Sequence, residues 1–240
     1  MAQVTSVAQI LSSLMEDQDT ATLPERLCAM CADALPVTGV GMALMTDNGH
    51  EGVVAATDGP AKLMEDLQFS LGEGPCLDAS TQGGPVLQPD LAISGERRWP
   101  VFGPAVLEAG IAAIFAFPLQ VGKIRLGVLD LYRSTSGNLD DEELIDALAF
   151  ADAAVVILLH LQNQTSNGNG LHPQLSDPLG NRSEIHQATG MIGVQAAVGL
   201  ANALLLLRGH AFAAERSVLE VARDVVARRL RFDPEDGHHE

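Results

Sequence analysis

Apolar positions along this chain change period several times, and those changes predict the order of elements. Val4–Met15 and Pro24–Leu35 carry helical stripes, and Thr22 with Pro24 supplies a start for the second. Gly39–Asp47 (GVGMALMTD) reads as a buried strand. The turn Asp47-Asn48-Gly49-His50 then leads to a return strand, Gly52–Thr57. A short helix is predicted over Ala61–Leu67, a loop over Leu71–Asp78 and a further helix over Trp99–Ala109. Two more strands, Ala112–Gln120 and Lys123–Arg133, are separated only by Val121-Gly122, a second tight hairpin. Asn138 or Asp140 caps a long helix running to Gln162, with Asp140, Asp141, Glu142 and Glu143 complementing its dipole. Asn163–Asn181 is polar and broken by glycine and proline, and Arg182–Leu230 is almost continuously helix-forming.

Hairpins enclosed by helices predict an α+β fold, an antiparallel sheet flanked by helices, followed by a small helical segment. The expected organisation is an N-terminal helix over 1–18, a sheet domain over 19–162, a linker over 163–180, a helical module over 181–232 and an acidic tail over 233–240.

Charge sharpens the division. Residues 182–231 hold seven arginines against four acids, a net of +3, whereas residues 1–181 hold seven basic and 23 acidic side chains, a net of −16. A cationic module on an acidic body points to an anionic partner for one end only, with nucleic acid the first candidate.

The N-terminus lacks the basic and long apolar segments of a secretory signal, and the apolar run Ala147–Leu161 is shorter than the roughly 20 residues of a membrane span. Three cysteines give no disulfide framework, so a reduced, cytoplasmic protein is expected, with no membrane partner. No phosphate-binding glycine loop, zinc-protease motif or serine-nucleophile elbow is present, and a non-enzymatic protein is expected. Cys28 and Cys31 share a C-x-x-C spacing without a second ligand pair, which reads as packing and predicts no metal.

Several motifs carry a resemblance. GEGPCLDA at 72–79, Asp90-Leu91, RWPVF at 98–102 and AIFAFPLQVGKIRLGVLDLYR at 113–133 resemble a GAF domain of the kind found in actinobacterial two-domain regulators. HQATGM at 186–191, ALLLLR at 203–208 and RSVLEVARDVV at 216–226 resemble an ANTAR domain, the three-helix RNA-binding module of transcription antiterminators. The resemblance implies a GAF sensor for ligand binding or dimerisation, and ANTAR helices that bind terminator-overlapping RNA hairpins. The implied RNA-binding residues are Gln187, Thr189, Gly190, Leu204, Arg208 and Arg216, to which the basic cluster adds Arg228 and Arg229. Thr189 stands where the family carries lysine, and Leu204 where it carries an aromatic residue.

Competing readings exist at most of these positions. Arg208 also suits a helix C-terminus, Arg228 and Arg229 a solvated helix end, and Gly190 a close helix contact. Gln187 and Thr189 point about 200° apart on a helix, so only one can face a given surface. In the sensor, Cys76, Asp78, Trp99 and Phe115 are the candidates for a ligand pocket, with Cys76 also a redox candidate or a plain buried thiol. His50, in a turn, and His160, late on a helix, are poorly placed for haem, and no cofactor is expected. An unidentified small ligand and a homodimer through the flanking helices complete the expected partners. The alternatives are a cysteine-based GAF free methionine-sulfoxide reductase, or a GAF interaction module with a degenerate ANTAR domain.

Overall fold

The computed structural model describes residues 6–16, 21–46, 49–164, 175 and 181–232. The chain divides into two compact units, Met1–Ser176 and Asp177–Glu240. Most of the predicted linker and the whole predicted acidic tail lie outside the described residues, as do Asp47 and Asn48 of the first turn.

The first unit is built on one antiparallel sheet of five strands: β1 (Gly39–Thr46), β2 (Gly49–Ala56), β3 (Val86–Gln88), β4 (Ala113–Val121) and β5 (Ile124–Arg133). Their order is β2-β1-β5-β4-β3. The β4–β5 hairpin closes with Val121 paired to Ile124, so the turn is Gly122-Lys123, with φ 60° at Gly122. Helices α1 (Val7–Glu16), α2 (Leu23–Ala34) and α7 (Asp141–Gln164) contribute to a core that takes alternate strand residues such as Met42, Phe115, Phe117, Leu129 and Leu131. The other core lies under α3 (Gly59–Leu71), α4 (Pro75–Gln82), α5 (Leu91–Arg98) and α6 (Phe102–Glu108), and takes Ala43, Met45, Ile114, Ala116 and Val128. Period-two alternation places these two sets on opposite faces.

Local chemistry sets the helix starts. The Thr22 hydroxyl accepts from the Glu25 backbone N–H at 3.3 Å while the Glu25 carboxylate accepts from the Thr22 N–H at 2.7 Å, a reciprocal cap. Asp140 and Glu143 do the same at α7, each bond 2.8 Å long, and Arg133 at the end of β5 pairs with Glu143 at 2.8 Å. At 24 residues α7 is long and apolar enough by composition to cross a membrane, but Ala147, Phe150, Ala154, Leu158 and Leu161 are buried in the sheet's core.

The second unit has three helices, α8 (Asn181–Gln195), α9 (Leu200–Ala213) and α10 (Val218–Val226). Ala188, Ile192, Ala203, Leu207, Val221 and Val225 are buried among them.

Four local expectations are corrected. The loop predicted over Leu71–Asp78 is confined to residues 72–74, because Pro75 opens α4. Trp99 does not begin a helix: it closes α5, and α6 starts at Phe102. Strand β3 and helix α5 are additional elements, too short for periodicity to reveal. His50 lies in β2 rather than in a turn.

Candidate functional site

The GEGPC segment folds as a clasp. Gly72 ends α3 in the left-handed region (φ 68°), and Gly74 (φ 137°) adopts a conformation closed to other residues. The Glu73 carboxylate accepts from the backbone N–H groups of Val101 and Phe102, each at 2.7 Å, and so caps α6. Gly74 offers α4 no side-chain cap, and the buried Gln68 carboxamide oxygen instead accepts from the Cys76 N–H at 2.7 Å. Asp78 pairs with Arg98 at 2.9 Å, and the Arg98 guanidinium lies 4.8 Å from the Trp99 ring centroid. Asp78 therefore binds α4 to α5 across a partly exposed surface.

Beneath this clasp lies a buried acidic cluster. Asp130, in the middle of β5, is flanked by Gly41 on β1 and Ala116 on β4. The small neighbours leave room above it: a Cβ added at Gly41 would fall 2.4 Å from the Glu65 Oε1 atom. Glu65 and Gln68, one helical turn apart on α3, and Cys76 on α4 face Asp130, and all four are fully buried. Among the described residues neither Asp130 carboxylate oxygen nor the Gln68 amide nitrogen completes a well-formed hydrogen bond, although Glu65, Cys76 and Gln68 all approach the carboxylate. Burial first, then the Glu65 charge, pushes the Asp130 carboxyl well above the usual carboxylate range. Burial, followed by Asp130 and Glu65, raises the Cys76 thiol as well. One carboxylate oxygen each from Glu65 and Asp130 and the Cys76 Sγ lie within 4.8 Å of one another, a donor set able to hold a metal ion.

This geometry sorts the sensor candidates. Cys76 faces the cluster, its Sγ 3.8 Å from the Met45 sulfur. A thiol raised by burial is the opposite of an activated redox thiolate. Trp99 is buried on the same side of the sheet, packed edge-on to Phe102 with centroids 6.0 Å apart, and its indole N–H has no partner among the described residues. Phe115 is corrected: its side chain enters the opposite core, among α1, α2 and α7, and cannot line this site. Cys28 and Cys31 are buried in that opposite core too. The sequence reading missed Glu65, Gln68 and Asp130. The available signal was an acid in the otherwise apolar run LGVLDLY, since an unpaired buried charge is costly enough to require a purpose.

In the second unit, a groove of about 660 Å³ is lined by Gln187, Gly190, Met191, Val194, Gln195, Arg228 and Arg231. The segment carrying the arginines is pinned. Asp224 accepts backbone N–H bonds from Arg229 at 2.7 Å and Leu230 at 3.2 Å through its main-chain oxygen, and Phe232 donates to the Gln195 side chain at 3.0 Å. Phe232 is buried, 5.4 Å centroid to centroid from His210. Arg228 sits in the left-handed region (φ 58°), a strained position for a non-glycine residue. Neither Arg228 nor Arg231 has an ion pair among the described residues, whereas Arg216 and Arg229 both clamp Asp224 at 2.7 Å.

The predicted RNA-binding residues therefore separate. Gln187, Gly190 and Arg228 meet in the groove. Thr189 is buried instead, its hydroxyl donating to the Ile185 carbonyl at 2.7 Å, as the 200° separation from Gln187 requires. Arg208 is half-buried on α9, and desolvation lowers its pKa to about 10. Leu204 is half-buried on the same helix, and Arg216 and Arg229 are occupied by Asp224. Gly190 makes no close helix contact, since an added Cβ would meet open space. The close approach is at Gly193, where a Cβ would stand 3.2 Å from the Val198 carbonyl oxygen. The sequence places Arg231 with Arg228 and Arg229 in one basic cluster, and of these three the groove takes Arg228 and Arg231.

A family model described as a GAF domain matches residues 20–158. No curated protein matches the chain significantly. Among solved structures, the GAF domain of an Acinetobacter phosphoenolpyruvate-protein phosphotransferase is 13% identical, covering 67% of this chain and 94% of that one with a TM-score of 0.51. The GAF domain of the Coxiella burnetii phosphoenolpyruvate-protein phosphotransferase is 14% identical over the same shares, also with a TM-score of 0.51. At these identities the likeness speaks to the fold of the first unit.

Proposed function

The chain belongs to the GAF domain family, and from that premise we propose that it is a non-enzymatic, signal-responsive regulator of transcription antitermination whose C-terminal helices bind RNA hairpins. The observation that carries this reading is the groove in which Arg228 and Arg231, held by a pinned backbone, stand beside Gln187 and the open surface of Gly190. Two such arginines suit phosphate oxygens, and the exposed Val194 offers an apolar surface to a base. Among the described residues no aromatic ring lines the groove, so charge rather than stacking supplies the affinity, and binding should depend steeply on salt.

The test is hairpin binding by the full chain at two salt concentrations. Arg228→Gly keeps the left-handed backbone and removes the charge, and combined with Arg231→Ala it should flatten the log–log salt slope by about 0.7–0.9 per lost phosphate contact. Arg216→Ala, which removes a guanidinium already committed to Asp224, should leave the slope unchanged. Thr189→Lys would place a cation in the bundle interior and should cost stability rather than strengthen binding.

A second reading, a protein-interaction module, is favoured by one observation: Leu205 and Phe212 are exposed on α9, two turns apart on one face. The reductase reading is disfavoured, because no second cysteine shares the side of the sheet that holds Cys76.

We propose further that the first unit dimerises through α7. Val155 and Leu159, half-buried, already pack against the core, whereas Ile145, Leu148 and Val156 are exposed. Leu148→Glu with Val156→Glu should therefore shift the solution mass to that of a monomer, since each such side chain contributes about 1.5–3 kcal/mol when fully buried. A monomeric wild type at micromolar concentration ends this proposal.

A further inference from the structure

We infer that Glu65, Cys76 and Asp130 form a binding site for a divalent transition-metal ion of borderline softness. Three observations converge. The ligand atoms lie within 4.8 Å of one another, and three donors each about 2.0–2.3 Å from a common ion could reach it by short side-chain rotations. Among the described residues neither carboxylate oxygen of Asp130, wholly buried, completes a well-formed hydrogen bond, so its acceptor oxygens are left under-satisfied. The space above β5 is maintained by a glycine: any side chain at Gly41 would collide with Glu65.

The donor set chooses the metal. One sulfur with two carboxylate oxygens is too soft for magnesium or calcium, which take all-oxygen shells, and too oxygen-rich for copper(I). Zinc, cobalt(II) and iron(II) fit. Three protein ligands leave at least one coordination position for water or a small exogenous donor, as in open metal sites. Gln68, which faces Asp130 while its oxygen holds the Cys76 N–H, would act as a positioning residue that sets the distance between two ligands. Coordination replaces the proton on the Cys76 sulfur, and any proton held by the Asp130 and Glu65 carboxyls, with the metal, and releases these protons to solvent. Because the ligands are sealed from water, loading requires local opening and proceeds slowly, so each addition must be equilibrated.

The inference concerns the sensor unit and does not depend on the RNA reading, so its readout is taken without RNA. The full chain is stripped with a chelator and titrated with cobalt(II). The expected result is one bound ion per chain, a thiolate-to-cobalt charge-transfer band in the near ultraviolet, and loss of that band when zinc is added. Cys76→Ser should abolish the band, and the double variant Cys28→Ser/Cys31→Ser should retain it. Asp130→Asn, with its fold checked by circular dichroism, should weaken cobalt binding severely. Zinc should also raise the melting temperature of the wild type, a measurement that needs no variant. A folded wild type that gives no charge-transfer band and no zinc-dependent shift overturns the inference, as does a band that survives Cys76→Ser.

Discussion

Replacing Trp99 by alanine should destabilise the first unit by about 3–5 kcal/mol, read as a fall in the denaturation midpoint without a change in its slope. Trp99 is 2% exposed, meets Phe102 edge-on and carries the Arg98 guanidinium on its ring, so its loss leaves a cavity bordered by rigid helices. Those helices cannot collapse into it. Gly103 already packs so tightly on α5 that an added Cβ would stand 2.6 Å from the Gly95 carbonyl carbon. Trp99→Phe should cost much less, because it keeps most of the packing and removes an indole N–H that has no partner among the described residues. Equal losses for the two variants would mean that the N–H matters more than the ring.

Asp130→Asn should do the reverse and stabilise the metal-free protein near neutral pH by about 1–3 kcal/mol, because it removes a charge that burial and Glu65 disfavour and supplies an amide able to donate to Glu65. The groups facing Asp130 are Glu65 and Cys76, both acids, and the neutral Gln68, so no cation compensates among the described residues. The pH dependence follows from the raised carboxyl. An unfolded aspartate titrates near pH ~3.9, and the folded one well above it. Between those values the folded chain holds more protons than the unfolded one, so wild-type stability falls as pH rises through that window. Asparagine binds no proton. The gap between variant and wild type should thus be smallest below about pH 4 and grow towards neutrality, as melting curves with chelator present would read. A variant less stable than wild type across the whole range would mean that Asp130 supports the core. A residue that weakens the fold while shaping a binding site is the expected trade between stability and function.

The architecture of the first unit was legible because its long elements carry strong periods. The alternation in GVGMALMT and in AIFAFPLQ, the caps at Thr22 and Asp140, and the glycine of the second hairpin all specify local structure within a few residues. The candidate sites were harder to read because they depend on contacts between elements distant in sequence. Asp130 meets Glu65 and Cys76 only through strand pairing and the packing of α3 and α4, and no spacing along the chain announces it. Phe115 failed as a pocket residue for a simple reason: it neighbours Ile114 and Ala116, and adjacent strand residues face opposite cores. In the helical unit, charge composition pointed to arginine but not to which arginine. Asp224 occupies two of them, Glu184 holds Arg223, Arg208 is half-buried, and a left-handed turn helps present Arg228 beside Arg231.

Hydrogen exchange of the full chain with and without a hairpin RNA tests most directly the proposal that the groove of the second unit binds RNA. Bound RNA should slow exchange along the second half of α8, from Gln187 to Gln195, and across Arg228–Phe232, and raising the salt should erase that protection. Protection confined to α9 around Leu205 and Phe212, or no change at low salt with saturating RNA, would contradict the claim and leave the helical unit as a protein-docking module.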